Sequence, residues 1–193
     1  MYRVVLKVTQ MAQRMVEMAV KPEDTVIDGT LGNGNDTIFL SSLVPEGKVY
    51  SFDIQKDAVE GFKRVMEEKN IKNVIAINSG HECMELYVKE RPSAIMFNLG
   101  YLPGGDEKII TLPYTTLRAL ESGTKILKPG GIITIASYSG HPGGQEEQDI
   151  VQSWARGLNP RHYSVMEARF TNGKNNSPML IVIEKNDNCR EDI

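Results

Sequence analysis

Apolar positions recur at helical spacing at Val8, Met11, Ala12, Met15 and Ala19, and the run "KPED" closes that first helix before a short strand, "TVID", from about Thr25. The alternation then repeats. "KVYSFDI" reads as a second strand, with a helix over Lys56 to Lys69 behind it that turns Ala58, Phe62, Val65 and Met66 inward. "NVIAIN" is a third strand, followed by a helix from about Glu82 to Lys89. "SAIMFN" is a fourth, followed by a helix from about Thr111 to Leu127 that ends at "KPGG". "IITIAS" is a fifth strand and Gln145 to Leu158 a further helix. "HYSVMEARFTN" and "SPMLIVIEK" are two extended runs joined by Asn172 to Asn176, the pattern of a terminal hairpin. The polar tail begins at about Asn186.

Strands that alternate with helices predict a parallel sheet covered on both faces, with right-handed crossovers and an antiparallel strand added by the last hairpin. A chain of 193 residues without repeats or a long linker fits one domain spanning residues 1–193. Its 40% apolar and 24% charged composition is that of a globular protein, and it has no apolar run of membrane length. The interrupted N-terminal segment lacks a signal-peptide core, so a cytoplasmic location is expected. Cys83 and Cys189 are read as free thiols, and no His, Cys and acid constellation has zinc spacing. The net charge of -3 does not advertise a nucleic-acid binder. Arg3, Lys7 and Arg14, or Arg156, Arg161, Arg169 and Lys174, would be the local basic patches, with spread solubilising charge as the plainer reading.

In such a sheet ligands bind beyond the carboxyl ends of the strands. The first strand-to-helix loop is "DGTLGNGND", Asp28 to Asp36. Gly32 and Gly34 let backbone approach a ligand, and Asp28 can accept a hydrogen bond from a ligand amine. A glycine pair also makes an ordinary tight turn. Asp53, at the end of the second strand, adds an acid able to take both hydroxyls of a ribose, although an acid there also caps helices. The dinucleotide fingerprint G-x-G-x-x-G fails, because Thr37 stands where its third glycine belongs. An acid before the glycines suits a sulfonium and an amino group better than a pyrophosphate.

"VIDGTLGNGND", "VYSFDI", "LKPGG" and the hairpin together resemble the class I S-adenosylmethionine-dependent methyltransferases, over nearly the whole chain. The resemblance implies a Rossmann-like α/β fold with a seven-stranded, mostly parallel sheet and a reversed last strand. It also implies S-adenosylmethionine as cofactor, held by Asp28, Thr30, Gly32, Asn33, Gly34, Asn35 and Asp36, by Asp53, Ile54 and Gln55, by Ser79, Gly80 and His81, and by Asn98, Leu99 and Gly100. Thr30 departs from the Gly or Cys common in such enzymes.

The ordered set "GNGND", "FDIQ", "SGHE", "FNLGYLPGGD" and "SGHPGG" is similar, more narrowly, to the small bacterial putative rRNA methylase family. That resemblance implies N-methylation of the amine of 5-aminomethyluridine at the wobble position of tRNA, in the anticodon region, by a homodimer. Asn98 stands where related amino-methylating enzymes carry the first residue of N/D-P-P-Y, but Leu99 and Gly100 replace the two prolines. Its carbonyl is expected to accept a hydrogen bond from the attacking amine, with an Asx-turn as the alternative. Tyr101 is expected to hold the base, Leu102 and Pro103 to shape the wall, and Asp106 to be a turn residue. Tyr138 and His141 follow the fifth strand on the acceptor side, as a stacking platform and a proton acceptor or phosphate contact, or as parts of a plain connection. Trp154 reads as core, while Met11, Met15 and Met18 read as helix packing or a subunit contact. The competing functions are a small-molecule N- or O-methyltransferase, another RNA (rRNA) methyltransferase, and a cofactor-binding RNA chaperone or sensor without transfer activity.

Overall fold

The computed structural model describes residues 4–100, 110–173 and 177–187. Seven strands form one sheet: β1 (Thr25–Asp28), β2 (Lys48–Asp53), β3 (Val74–Asn78), β4 (Ala94–Leu99), β5 (Ile132–Ser137), β6 (Tyr163–Arg169) and β7 (Met179–Lys185). Their order is β3-β2-β1-β4-β5-β7-β6, with β7 antiparallel to both neighbours and the first five strands parallel. This is the Rossmann-like methyltransferase arrangement expected from the sequence.

Successive residues of a strand point to opposite faces, and the two cores divide along that alternation. Val26, Ala94, Met96 and Leu180 pack under α1 (Val8–Ala19), α2 (Asn35–Leu43) and α3 (Lys56–Glu68). Ile27, Ile95, Phe97 and Ile181 pack under α4 (Met84–Tyr87), α5 (Pro113–Ile126) and α6 (Gly144–Arg156). Lys185 is buried on β7, where its ammonium donates to the carbonyls of Thr124 and Leu127 at 3.2 and 3.1 Å. It caps the C-terminus of α5, where a cation offsets the helix dipole.

Three local readings change. The helix expected over Glu82 to Lys89 is a 3-10 turn, His81–Cys83, followed by the short α4, because Val88 takes an extended conformation and enters the core. On α3 Phe62 is buried and Val65 and Met66 pack against the core as expected, but Val59 is a further buried position and Ala58 is only half-buried. α5 starts two residues later than expected, with Pro113 in its first turn, where a missing N–H costs nothing. Met18 is 76% exposed, while Met11, Met15 and Trp154 pack against the cores. Asn172 and Gly173 lie in a turn after β6, and the rest of that loop to Asn176 and Cys189 lie outside the described residues.

The parallel strands end at one edge: Asp28 is level with Ser51 and Met96, Asp53 with Asn78, and Asn98 with Ala136. Gly34 starts α2 there at φ +77°, and a Cβ on it would come within 2.2 Å of the Phe62 ring. Gly34→Ala therefore meets both left-handed strain and overpacking. Urea unfolding is expected to show a loss of roughly 2–4 kcal/mol.

Candidate functional site

A cleft of about 720 Å³ opens at that edge. Its walls come from the loops after β1, β2, β3, β4 and β5. Every one of those loops was singled out in the sequence.

The β1 loop is held from below. Asp28 is 1% exposed and lies under the cleft, with one carboxylate oxygen accepting from the Thr30 N–H (3.0 Å) and the other from the Thr37 hydroxyl (2.6 Å). The Thr37 hydroxyl in turn pairs with that of Ser51 on β2. Burial, and then the charge of Asp36, pushes the Asp28 carboxyl up to about 7. Thr30 links this loop to β4, since its hydroxyl accepts from the Asn98 N–H at 2.8 Å. The departure at Thr30 thus serves as a strut between two walls.

Asp53 faces the cleft with both oxygens engaged from the rim, by Gly32 N–H at 2.9 Å and Gln55 N–H at 2.8 Å. Carboxylate oxygens carry further lone pairs, so the group retains acceptor capacity for hydroxyls. Asn78 donates to the backbone carbonyls of Asp53 and Ile54, both at 3.0 Å, which fixes the turn that presents Ile54 and Gln55 to the cleft. Ile54 is 58% exposed there, an apolar face beside polar groups. Ser79, Gly80 and His81 also line the cleft. The His81 Nδ1–H donates to the Gly29 carbonyl at 3.1 Å, and its ring packs edge-on against Phe97. Burial lowers its pKa, so it sits neutral as a clamp on the β1 loop.

Asp36, in the first turn of α2, is buried with its side chain on the cleft wall. One oxygen accepts from Gln13 Nε2 at 2.9 Å and the other from Asn98 Nδ2. Burial raises its pKa, and the two amide donors oppose the rise. The Asn98 Oδ1 is buried and accepts no hydrogen bond from a described residue. Tyr138 lies half-buried in the same wall, its phenol raised first by burial and then by Asp36.

Leu99 and Gly100 line the cleft at the end of β4, and Gly100 is stitched to Thr111. The Gly100 N–H donates to the Thr111 hydroxyl (2.9 Å), and the Thr111 N–H to the Gly100 carbonyl (2.8 Å). Glu147, 1% exposed on α6, accepts from the hydroxyls of Thr111 and Thr116, both at 2.6 Å. The His141 ring lies beside Gly100 and Gly144, its Nδ1 3.1 Å from the Pro142 carbonyl. Tyr101, Leu102, Pro103 and Asp106 lie outside the described residues.

Of the residues read from the sequence as ligand-facing, Thr30, Gly32, Asn33, Asn35, Asp36, Asp53, Ile54, Gln55, Ser79, Gly80, His81, Asn98, Leu99, Gly100, Tyr138 and His141 line the cleft. Asp28 and Gly34 support it from behind. Thr9, Gln13, Thr111, Thr115 and Glu147 escaped the sequence reading. Glu147 left a signal, an acid on the buried stripe of Gln148, Val151 and Ala155.

The donor set fits S-adenosylmethionine. Three carboxylates at the β1 and β2 ends favour a cation and oppose a phosphate, Asp53 offers acceptors for ribose hydroxyls, and Ile54 offers an apolar face for a base.

Residues 49–184 match the family described as "Putative rRNA methylase". The chain is 39% identical over 194 residues to an Arabidopsis thaliana protein named "tRNA (mnm(5)s(2)U34)-methyltransferase, chloroplastic", covering 94% of this chain and 70% of that one. It is also similar to the crystal structure of a "putative rRNA-methylase" from Clostridium thermocellum, with a TM-score of 0.92 and 39% identity over 95% of this chain and 100% of that one. A Streptococcus mutans "putative methyltransferase" solved in complex with SAH gives a TM-score of 0.87 at 37% identity, over 94% and 99% of the two chains.

Asp28 makes a testable demand on stability. Its folded pKa lies above 3.8, so the folded protein binds that proton more tightly than the unfolded chain does. Stability is therefore greatest at low pH with respect to this group, and falls as pH rises from 3.8 to about 7. Asp28→Asn cannot ionise, so urea unfolding at several pH values in that window is expected to show a shallower decline than wild type. Parallel curves would contradict the buried-acid reading.

Proposed function

The chain belongs to the "Putative rRNA methylase" family, and we propose that it N-methylates the 5-aminomethyl group of a wobble uridine in tRNA, giving 5-methylaminomethyluridine. At the coarser level it is an S-adenosylmethionine-dependent RNA methyltransferase. When bound, S-adenosylmethionine supplies a methyl on positively charged sulfur, which departs as a neutral thioether while the acceptor lone pair takes the carbon. The nitrogen's surplus proton passes to solvent.

One observation carries the amine assignment: the Oδ1 of Asn98 is a buried acceptor without a described partner, on a residue that lines the cleft at the end of β4. An amine whose lone pair is committed to the methyl still has N–H donors to place, and an amide oxygen suits them. On this reading Asn98 is the catalytic contact. Asp53, with Ile54, Gln55 and the Ser79 to His81 loop, holds the nucleoside part of the cofactor. The acidic β1 and α2 wall holds its cationic part, with Gly32, Asn33 and Asn35 supplying backbone at the rim.

Tyr138 and His141 stand on the acceptor side of the cleft, with Tyr101, Leu102 and Pro103 assigned there by the resemblance alone. The mouth also suits RNA. Leu112 and Tyr114 are 53% and 69% exposed beside it, and the Arg118 guanidinium lies 5.8 Å from the Tyr114 ring centre, a stacking surface with a cation attached. A homodimer belongs to the same proposal, because 193 residues offer limited surface for gripping a tRNA.

The direct test incubates the protein with S-adenosylmethionine and tRNA bearing 5-aminomethyluridine, then digests the RNA for nucleoside mass spectrometry. A methyl on that amine is expected; none, with the cofactor shown to bind, rejects the substrate. Asn98→Ala is expected to lower kcat by roughly a hundredfold while cofactor affinity changes little, since it removes a contact to the reacting nitrogen.

The acidic wall makes a second demand. A cation above Asp28 favours its ionised form, so S-adenosylmethionine is expected to gain affinity over the neutral S-adenosylhomocysteine as pH rises through about 7. Calorimetric titration of both ligands at pH 6 and 8 measures the ratio, and an unchanged ratio would remove Asp28 from cofactor recognition.

A further inference from the structure

Asn98 does not choose its own orientation. An amide can turn either its oxygen or its NH2 toward the cleft, and the two are similar in size. Asp36 makes the choice, because a carboxylate only accepts, and it takes the Asn98 Nδ2. Its other oxygen is held by Gln13 Nε2 at 2.9 Å, from the first helix of the chain. Asp36 is 7% exposed, so water competes little for either bond. The consequence is visible at the far end of the relay, where Asn98 Oδ1 is left buried without a described partner.

We propose that Gln13 and Asp36 are positioning residues that lock the Asn98 carbonyl toward the acceptor, making the site selective for an amine that carries an N–H. This rests on the amine reading above. A neutral amine approaching with its lone pair toward the methyl donates an N–H to the fixed Oδ1. A hydroxyl in the same place would give up its only hydrogen to that oxygen, and an amide is too weak a base to remove it. A ring nitrogen without hydrogen would meet oxygen lone pair against lone pair. Asp36 therefore acts on specificity through Asn98, without touching the acceptor itself.

The relay can be reversed by chemistry. In Asp36→Asn the new amide at position 36 has an NH2 of its own, which can donate to the Asn98 oxygen and turn the Asn98 NH2 toward the cleft. Combining Asp36→Asn with Asn98→Asp exchanges the two groups. The amide at position 36 then accepts from Gln13 and donates to the carboxylate at position 98, whose second oxygen faces the cleft again.

Full-length wild type and both variants would be compared for S-adenosylhomocysteine affinity, for kcat and KM on tRNA bearing 5-aminomethyluridine, and for the Asn98 side-chain amide signal in nitrogen-15 spectra without ligand. In Asp36→Asn we expect kcat at saturating S-adenosylmethionine to fall roughly tenfold or more, the scale of one lost hydrogen bond, with KM for the tRNA little changed. The Asn98 amide protons, downfield in wild type through their bond to a carboxylate, should move upfield. The exchanged pair should recover most of kcat. A wild-type kcat in Asp36→Asn, or no recovery in an exchanged pair that folds and binds S-adenosylhomocysteine, would overturn the relay. If wild type methylates no amine-bearing RNA, the substrate reading fails, and the amide signal then decides the relay: a shift in Asp36→Asn supports it and no shift refutes it.

Discussion

A carboxylate buried at the end of the first strand is the constraint around which the rest is arranged. Asp28 sits where water cannot reach, and its ionised form survives only because a backbone N–H and a hydroxyl are aimed at it. Those two donors belong to the loop and to α2, and Ser51 extends the contact to the second strand. Satisfying one acid thereby fixes the path of the glycine loop, the start of a helix and the spacing of two strands. The geometry of the cleft follows from that, since Thr30 then reaches the backbone of Asn98 and braces the end of β4.

Charge is concentrated against the trend of the whole chain. A net charge of -3 over 193 residues is unremarkable, yet Asp28, Asp36 and Asp53 share one edge of the sheet, close enough that the second and third raise the pKa of the first. Concentrating like charges is destabilising, and the arrangement is useful when the ligand brings positive charge of its own. The same edge is a poor place for a pyrophosphate. The missing third glycine at Thr37 makes the same distinction in different terms, for its hydroxyl is spent on Asp28 instead.

Most of the fold could be read from periodicity, because strands such as "IITIAS" are buried along their full length and carry an unmistakable apolar run. The misreadings fall where tertiary contact overrules local pattern. Val88 leaves its helix to fill the core, and Thr111 leaves α5 to pair with Gly100. The site was legible wherever it is made of strand-end loops, whose Gly, Asp and Asn residues stand out against apolar strands. Gln13 was invisible, being one polar residue on an amphipathic helix; only its contact across 23 residues with Asp36 gives it meaning. Asp28 was visible as an acid that ends the strand, but spacing says nothing of which way it faces, and it lies beneath the cleft.

The stitch between Gly100 and Thr111, backed by Glu147, has a wider consequence. One backbone–backbone bond, one from a backbone N–H to a side-chain hydroxyl and a buried acid hold Gly100 and Thr111 together. The entropy of closing a loop grows only slowly with its length, by about 0.6 kcal/mol per doubling. A chain built this way can exchange or lengthen the insert without disturbing the sheet or the β2 and β3 end of the cleft. The stitch thus separates an inherited chassis from a replaceable cassette, so that change in sequence between Gly100 and Thr111 carries the least risk to folding.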